Sequence, residues 1–206
     1  TTILTTAMLI LEDLDPQDSN YQELETITKE TLRCRKIVTS LLDFARQSTP
    51  TRKPCDINNV ANESVVLTNK QAAFKDVALI YEPGADIPLV QLDKGQIQQS
   101  LINLIINAVE ATKAGGTISI STVYKPQLET IEVAVSDTGE GISETDLVRI
   151  FDPFYTTKDN GNGLGLAITH GIIEQHNGTI DVDSRLGRGT TFTIKLPITS
   201  GVDHAT

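Results

Sequence analysis

The stretch "GNGLGLAITHG" at residues 161–171 places glycine at three alternating positions just before a helical pattern. Leu164, Ile168 and Ile172 then recur every four residues, which predicts a helix. Each glycine disfavours a helix by about 1 kcal/mol relative to alanine. A helix N-terminus presents free N–H groups and a partial positive charge. Because glycine has no side chain, it lets those donors come close to a phosphate, so the stretch predicts a phosphate-binding helix start.

A dinucleotide-binding motif of the Rossmann type is the alternative interpretation of these glycines. That motif needs G-x-G-x-x-G directly after a strand. Here the third glycine comes too early, and the polar loop "YTTKDN", residues 155–160, precedes the glycines. The pattern therefore favours a loop that lies over a nucleotide and is hinged by glycines.

The composition is that of a soluble globular protein, with 39% hydrophobic and 21% charged residues among 206. A net charge of −10 argues against a non-specific nucleic-acid binder, which would be basic. Cys34 and Cys55 have neither metal-ligand spacing nor a disulfide framework, which predicts a reducing, cytoplasmic setting. No apolar run reaches the ~20 residues of a membrane span, so we expect no membrane contact from this chain.

Residues 1–48 predict two helices, the first ending near Leu14 and the second covering roughly Tyr21 to Gln47. The second carries a heptad seam formed by Leu24, Ile27, Thr31, Cys34, Val38, Leu41 and Ala45, widened by Ile37 and Phe44. Two helices cannot bury so wide a seam alone, which predicts a homodimer that completes a four-helix bundle. Packing of the hairpin on the rest of the same chain is the alternative.

The prolines of "RQSTPTRKPCD", residues 46–56, predict a boundary near residue 50. Beyond it the periodicity predicts helices at 58–74, 94–112 and 143–150, strands at 76–82 and 88–92, and hairpins at 117–137 and 179–197. This mixture predicts an α+β domain with one sheet covered on one face by helices. We expect domains at 1–50 and 51–200, followed by a tail at 201–206.

Asp137 ends a predicted strand and has the same parity as the apolar residues of "TIEVAVSD", residues 130–137. Its side chain should therefore point to the buried face, where a carboxylate needs a donor. An ionised carboxylate only accepts hydrogen bonds, so it suits the exocyclic amine of adenine. Gly139 and Gly141 would let the backbone approach closely. A turn that begins with aspartate is the alternative interpretation.

Asn103 and Asn107 lie four residues apart on one face of the helix predicted at 94–112. Their amide oxygens are hard ligands of the kind that Mg²⁺ shares with phosphate groups. A solvated polar face is the alternative. The residues alone leave both interpretations open.

Five segments in this order resemble the ATP-binding catalytic domain of bacterial sensor histidine kinases: "NLIINAVEA" at 103–111, "DTGEGI" at 137–142, "IFDPFYTTK" at 150–158, "GNGLGLAI" at 161–168 and "GRGTTF" at 187–192. The resemblance covers about residues 90–196. It implies the two-layer α/β sandwich of the histidine kinase and gyrase-type ATPases. "LLDFARQS", residues 41–48, looks like the end of the second dimerisation helix of that family.

The resemblance implies roles for particular residues. Asn107 matches a Mg²⁺ ligand, Asn103 its partner near metal and phosphates, and Lys158 a lid cation that we expect to pair with the γ-phosphate. Asp137 matches the aspartate that binds adenine. The remaining nucleotide contacts that it implies are Ala111, Gly139, Gly141, Ile142, Thr157, Gly161, Gly163, Leu164, Gly165, Leu166 and Thr191, with Phe151 and Phe154 anchoring a lid at about 152–162.

The implied activity is transfer of the γ-phosphoryl group of Mg²⁺–ATP to a histidine, followed by relay to the receiver domain of a response regulator. Of the three histidines, His170 and His176 are expected to be structural and His204 lies in the tail. None occupies the family's acceptor motif. "TTILTTAMLILEDLD", residues 1–15, looks like the sequence that directly follows that motif, so we expect the chain to start just past its acceptor.

Related ATPases of this fold place a glutamate base four residues before the metal-binding asparagine. Here Asn103 stands there, and an amide cannot take a proton from water, which favours transfer over hydrolysis. Glu110 follows Asn107 by three residues and is expected on the other side of the helix, with its role open. A non-catalytic ATP-sensing module and a hydrolytic ATPase remain alternatives.

Overall fold

The computed structural model describes residues 2–45, 49–158 and 161–198. The chain divides into two compact units, residues 1–47 and 48–206. Among the described residues, no helix is long and apolar enough to cross a membrane. The tail at 201–206, with His204, lies outside the described residues.

The first unit is a helical hairpin of α1 (Thr2–Asp13) and α2 (Tyr21–Ala45). Leu4 and Ala7 of α1 are buried. The seam of α2 stays open to solvent at several positions, since Ile27, Val38 and Leu41 are 48%, 54% and 39% exposed. The side chains of the seam residues Ile37, Phe44 and Ala45, and the end predicted at Gln47, lie outside the description.

The second unit is an α+β sandwich. Its elements are β1 (Lys53–Cys55), α3 (Ile57–Phe74), β2 (Ala78–Glu82), β3 (Val90–Leu92), α4 (Lys94–Ala111), β4 (Thr117–Lys125), β5 (Thr130–Asp137), α5 (Glu144–Leu147), α6 (Gly165–Gln175), β6 (Thr179–Arg185) and β7 (Gly189–Pro197). Five strands form a mixed sheet in the order β2-β4-β5-β7-β6. β2 is parallel to β4 and every other pair is antiparallel. Helices α3, α4 and α6 pack on this sheet.

The core lies between the sheet and α4. Every second residue is buried along β5 and β7, and along β4 as far as Thr122, as the alternating sequence predicts. The residues with little or no exposure include Ile118, Ile120, Ile131, Val133, Ile194 and Leu196 from the sheet and Leu101, Leu104 and Ile105 from α4. The C-terminal end of α4 lies next to the loop after β5, because the Ala111 carbonyl accepts the Glu140 amide.

The helix starts of this unit differ. Asp56, Asp93 and Ser143 cap α3, α4 and α5 by accepting hydrogen bonds from first-turn amides. In the part of the chain that the structure describes, no side chain caps α6, whose N-cap residue is Leu164. Its first-turn N–H groups are therefore left for another acceptor.

The structure differs from the sequence predictions at two places. The short strand β1 lies outside every predicted strand, and it pairs with β3 in a separate antiparallel ladder rather than in the main sheet. Its three residues include Pro54, so no local pattern could reveal it. The helix predicted at 143–150 is shorter, because only Glu144–Leu147 is helical.

The segment that enters this unit is tied to two helices. The Thr51 amide donates to Asp93 Oδ2 at 2.9 Å, and the Asp93 amide donates to His176 Nε2 at 3.0 Å. His176 Nδ1 lies 2.8 Å from the Ile172 carbonyl oxygen, so this nitrogen carries the hydrogen. Burial lowers the pKa of the imidazole. A neutral ring with both nitrogens bonded fits the structural role predicted for His176.

Candidate functional site

Asp137 ends β5 on the buried face and is 7% exposed. Its Oδ1 accepts hydrogen bonds from the amides of Gly139 at 2.8 Å and Thr190 at 3.3 Å. Burial raises the pKa of the carboxyl group, and these two bonds, with the charge of Lys158, act in the opposite direction. The structure thus holds a desolvated acceptor in one orientation.

The loop after Asp137 is fitted tightly to the end of α4. A Cβ on Gly139 would lie 2.6 Å from the carbonyl oxygen of Ala111. The same oxygen accepts the Glu140 amide at 3.2 Å. Only glycine fits at position 139, and Ala111 is thereby placed beside Asp137.

The following turn is fitted to the connection between β6 and β7. Gly141 has φ +70°, and a side chain there would overlap the carbonyl oxygen of Arg185. The Ile142 amide donates to Ser184 Oγ at 2.8 Å. The amides of Gly139 and Ile142 thus hold the segment "DTGEGI" near both of its ends, which makes this part of the site rigid.

Thr191 does not reach Asp137. It pairs with Ser136 across β5 and β7, and the two hydroxyl oxygens lie 2.8 Å apart on the opposite face of the sheet. Thr190 is buried and donates its amide to Asp137 instead. Thr190 has the same parity as the buried Phe192, so the alternation of β7 indicates its burial. The contact of its backbone amide with Asp137 comes from the pairing of β5 with β7.

Lys158 brings the lid to α4. Its Nζ donates to Glu110 Oε2 at 2.7 Å and to Asn107 Oδ1 at 3.3 Å. The expectation that Glu110 lies on the other side of the helix is wrong. Residues three apart are neighbours on a helical surface, so both acceptors face the same ammonium group.

Asn103 joins α4 to the start of α6, since its Nδ2 lies 3.4 Å from the Gly165 carbonyl oxygen. Leu164, next to it, is fully buried. A Cβ on Gly165 would meet nothing closer than Asn103 Cγ at 4.0 Å. No part of the described chain requires glycine at 165, so the space beside it is open to a ligand. Leu166, half-buried, follows in the first turn.

The two ends of the predicted lid are joined by the backbone. The Phe154 amide donates to the Gly163 carbonyl at 2.9 Å. Both residues have left-handed backbones, with φ +68° and +64°. The Gly161 amide donates to the Lys158 carbonyl at 3.1 Å. Thr157 is exposed, and residues 159–160 of the predicted lid lie outside the described chain.

Phe151 packs against α6, where its ring centroid lies 5.0 Å from that of His170. His170 Nδ1 lies 3.4 Å from Glu174 Oε2, one turn further along α6. The His170 ring thus contacts Phe151 and, on its own helix, Glu174, as expected for a structural residue. Phe154 differs from Phe151 in being mostly exposed.

No group of three or more His, Cys, Asp or Glu side chains is placed to hold a metal ion among the described residues. A metal here would depend on the amide oxygens of Asn107 and Asn103 and on oxygens brought by a ligand. Asn107 Oδ1 already accepts a hydrogen bond from a cation, the ammonium of Lys158. Its position therefore suits a positive charge.

The profile of the family described as "Histidine kinase-, DNA gyrase B-, and HSP90-like ATPase" matches residues 92–200, which contain Asn107, Asp137 and the glycines before α6. The chain belongs to this family. The resemblance to sensor histidine kinases and the α+β fold that it implies are therefore confirmed. Within the family, relatives with similar sequences include proteins named as sensor kinases. "Sensor histidine kinase ZraS" of Escherichia coli (strain K12) is 35% identical over 86% of this chain and 38% of that protein. "Sensor kinase CckA" of Brucella abortus (strain 2308) is 34% identical over 96% of this chain and 22% of that protein. The chain thus spans about a fifth to two fifths of the length of these two relatives.

Solved structures of family members agree with this architecture. ShkA, full-length and in complex with AMPPNP, has a TM-score of 0.79 and 25% identity over 97% of this chain and 43% of that chain. Histidine kinase ThkA, in complex with the response regulator protein TrrA, has a TM-score of 0.74 and 28% identity over 96% of this chain and 57% of that chain.

Proposed function

We propose that this chain is the catalytic region of a sensor histidine kinase, with part of its dimerisation domain. It binds Mg²⁺–ATP and transfers the γ-phosphoryl group to a histidine for relay to a response regulator. One observation carries the proposal: α4 contacts both other parts, since Asn103 lies against Gly165 at the uncapped start of α6 and the Ala111 carbonyl accepts from the loop after the buried acid Asp137. The AMPPNP bound to ShkA and the response regulator bound to ThkA support it.

At one end of the site, which we call the adenine end, Asp137 accepts a hydrogen bond from the exocyclic amine of adenine. The amides of Gly139 and Thr190 hold its carboxylate for that purpose. We therefore place the Thr190 amide, rather than the Thr191 hydroxyl, against the Asp137 carboxylate at this end. The walls of this end are Ala111, Gly139, Gly141 and Ile142.

At the other end, which we call the phosphate end, Asn107 and Asn103 hold the Mg²⁺ ion. When bound, the ion neutralises charge on the phosphates. The first-turn amides of α6 donate to phosphate oxygens, because no side chain of the described chain caps them. The residues proposed to surround the phosphates are Thr157, Lys158, Gly161, Gly163, Leu164, Gly165 and Leu166, and the ammonium of Lys158 pairs with the γ-phosphate.

The chemical step places little covalent work on the protein. A nitrogen of the acceptor imidazole forms the new N–P bond while the bond from the γ-phosphorus to its bridging oxygen breaks, and ADP leaves with that electron pair. Positioning and charge neutralisation supply the acceleration. The amide of Asn103 donates towards the Gly165 carbonyl and cannot accept a proton. This favours transfer to a protein over hydrolysis.

The helical hairpin is proposed to form a homodimer through residues 1–48. Ile27, Val38 and Leu41 leave an apolar seam exposed on α2. A second copy would bury this seam in a four-helix bundle.

Supplying an acceptor-bearing helical hairpin in trans, with ATP labelled at the γ-phosphate, tests the proposal. Label on the histidine of the acceptor supports a kinase. Release of free phosphate alone would support a hydrolytic ATPase, and nucleotide binding with neither product would support a sensing module. Lys158→Ala should slow the transfer by about a hundredfold, as expected when a charge-stabilising donor is removed. Unchanged transfer would contradict the role of Lys158.

A further inference from the structure

Lys158 is held by two acceptors on a single turn of α4. The Glu110 carboxylate lies 2.7 Å from its Nζ and the Asn107 amide oxygen 3.3 Å. The Glu110 and Lys158 side chains are 38% and 35% exposed, so the pair is only partly solvated. Lys75, another cation near Glu110, donates to backbone carbonyls of Val109 and Glu110. The described partner of the Glu110 carboxylate is therefore Lys158.

This contact conflicts with nucleotide binding. The oxygen of Asn107 that accepts from Lys158 is the oxygen proposed to bind Mg²⁺. An ammonium group and a metal ion repel one another, and both cannot contact one oxygen from the same side. Lys158 itself is needed at the γ-phosphate. The ion pair with Glu110 therefore favours the state in which Lys158 stays on Asn107 and no Mg²⁺–nucleotide is bound.

We propose that Glu110 is a positioning residue that keeps Lys158 on Asn107 as a tethered cation until Mg²⁺–nucleotide displaces it. Glu110 therefore lowers the affinity for Mg²⁺–nucleotide, and it does so through Lys158. The inference rests on the proposed function, since it assigns the competing ligand. The turn of α4 that we propose to bind the metal would therefore also hold Lys158 when no nucleotide is bound.

A double-mutant cycle measures this competition. Titration calorimetry with Mg²⁺–AMPPNP compares the wild type, Glu110→Gln, Lys158→Ala and the double variant. Removing a partly exposed ion pair should raise affinity about threefold to fivefold in Glu110→Gln. In the Lys158→Ala background the same substitution should change affinity by less than about 1.5-fold, because the competitor is already absent.

Glu63→Gln is the matched control. Glu63 forms an equally short ion pair with Lys94, 2.7 Å between Oε1 and Nζ, and its side chain is 45% exposed. It joins α3 to the start of α4, away from Lys158. Removing this carboxylate should leave nucleotide affinity unchanged, which separates the effect of Glu110 from that of net charge.

Trypsin cleavage after Lys158 gives a readout without nucleotide. In the wild type the lysine side chain is engaged by Glu110, so cleavage should be slow. Glu110→Gln should accelerate it severalfold, while cleavage after the exposed Lys113 serves as an internal reference. Equal acceleration at both lysines would indicate general loosening of the fold and would contradict a specific contact.

The outcomes separate the two proposals. If the wild type binds no Mg²⁺–AMPPNP, the proposed function fails and the competition fails with it. If it binds but Glu110→Gln lowers affinity in both backgrounds, Glu110 acts directly on the metal and the tethered-cation role is overturned. Unchanged affinity in both backgrounds overturns it equally, while leaving nucleotide binding intact.

Discussion

At the adenine end, the backbone amides of Gly139 and Thr190 hold the Asp137 carboxylate. A Cβ at Gly139 or Gly141 would overlap neighbouring backbone atoms. At the phosphate end, the long side chains of Lys158 and Glu110 contact each other, and no side chain of the described residues caps the start of α6. The first arrangement is fixed before a ligand arrives. In the proposed function, the second must change partners when nucleotide binds. Adenine keeps one shape in the proposed reaction, whereas the phosphates change charge and connectivity, so the rigidity of each end matches the part of the nucleotide that we assign to it.

Asp137→Asn should have the largest effect on nucleotide affinity and tests the role assigned to the adenine end. The amide places a donor where the proposed site needs an acceptor, so affinity for Mg²⁺–ATP should fall roughly a thousandfold. Titration calorimetry measures it. Asp183→Asn is the control, because it removes the same charge from an exposed position on β6. An Asp137→Asn variant that binds as well as the wild type would remove adenine recognition from this end.

Gly141→Ala and Gly165→Ala compare the two ends by stability. Gly141 has φ +70° and no room for a Cβ, so alanine should cost about 2 to 4 kcal/mol of unfolding free energy. At Gly165 the nearest atom is 4.0 Å away, so alanine should be neutral or stabilise by up to about 1 kcal/mol. Urea unfolding of the nucleotide-free protein gives both values. Equal losses would show that the ends are equally constrained.

The pH dependence of stability tests the cost of the fixed carboxylate. Burial raises the pKa of Asp137 above its ordinary 3.8, so the folded protein holds this proton more tightly than the unfolded chain. Without nucleotide, this group makes the fold less stable as pH rises from about 3.8 through the folded-state pKa. The Tm advantage of Asp137→Asn over the wild type should therefore grow across that window and then level off. A difference in Tm that does not vary with pH would contradict the sign.

Thr191→Val should have the smallest effect. Its hydroxyl bonds Ser136 on the face away from Asp137, so nucleotide affinity should stay within about twofold of the wild type. The lost hydrogen bond should reduce stability by about 0.5 to 1.5 kcal/mol. Calorimetry and urea unfolding separate the two quantities. A large loss of affinity would place Thr191, rather than Thr190, at the adenine end.

The periodic parts of the fold could be predicted from sequence because burial imposes their period. The alternation of β4, β5 and β7 and the inward direction of Asp137 follow from one rule, that successive strand residues face opposite sides. The same rule indicates that Thr190 is buried, whereas the contact of its backbone amide with Asp137 is visible only in the structure. Strand β1 escapes any local rule, since three residues with Pro54 become a strand only through pairing with β3.

The contacts of the lid could not be predicted in this way. Lys158 and Glu110 lie 48 residues apart in the chain. They meet because the lid turns back through Phe154, which adopts φ +68° although it is not glycine. Residues other than glycine seldom adopt such a backbone, and no pattern in the sequence announces it. The helical spacing of Asn107 and Glu110 was readable, but their common partner was not.

Because no side chain of the described residues caps α6, ligand binding and the ordering of its first turn are thermodynamically coupled. Any molecule whose oxygens accept from the first-turn amides completes that turn, and anything that orders the turn tightens the molecule's binding by an equal free energy. In the proposed reaction, release of the product would leave the first-turn N–H groups of α6 without that acceptor again. Amide exchange at Gly165 and Leu166 would then change during each turnover.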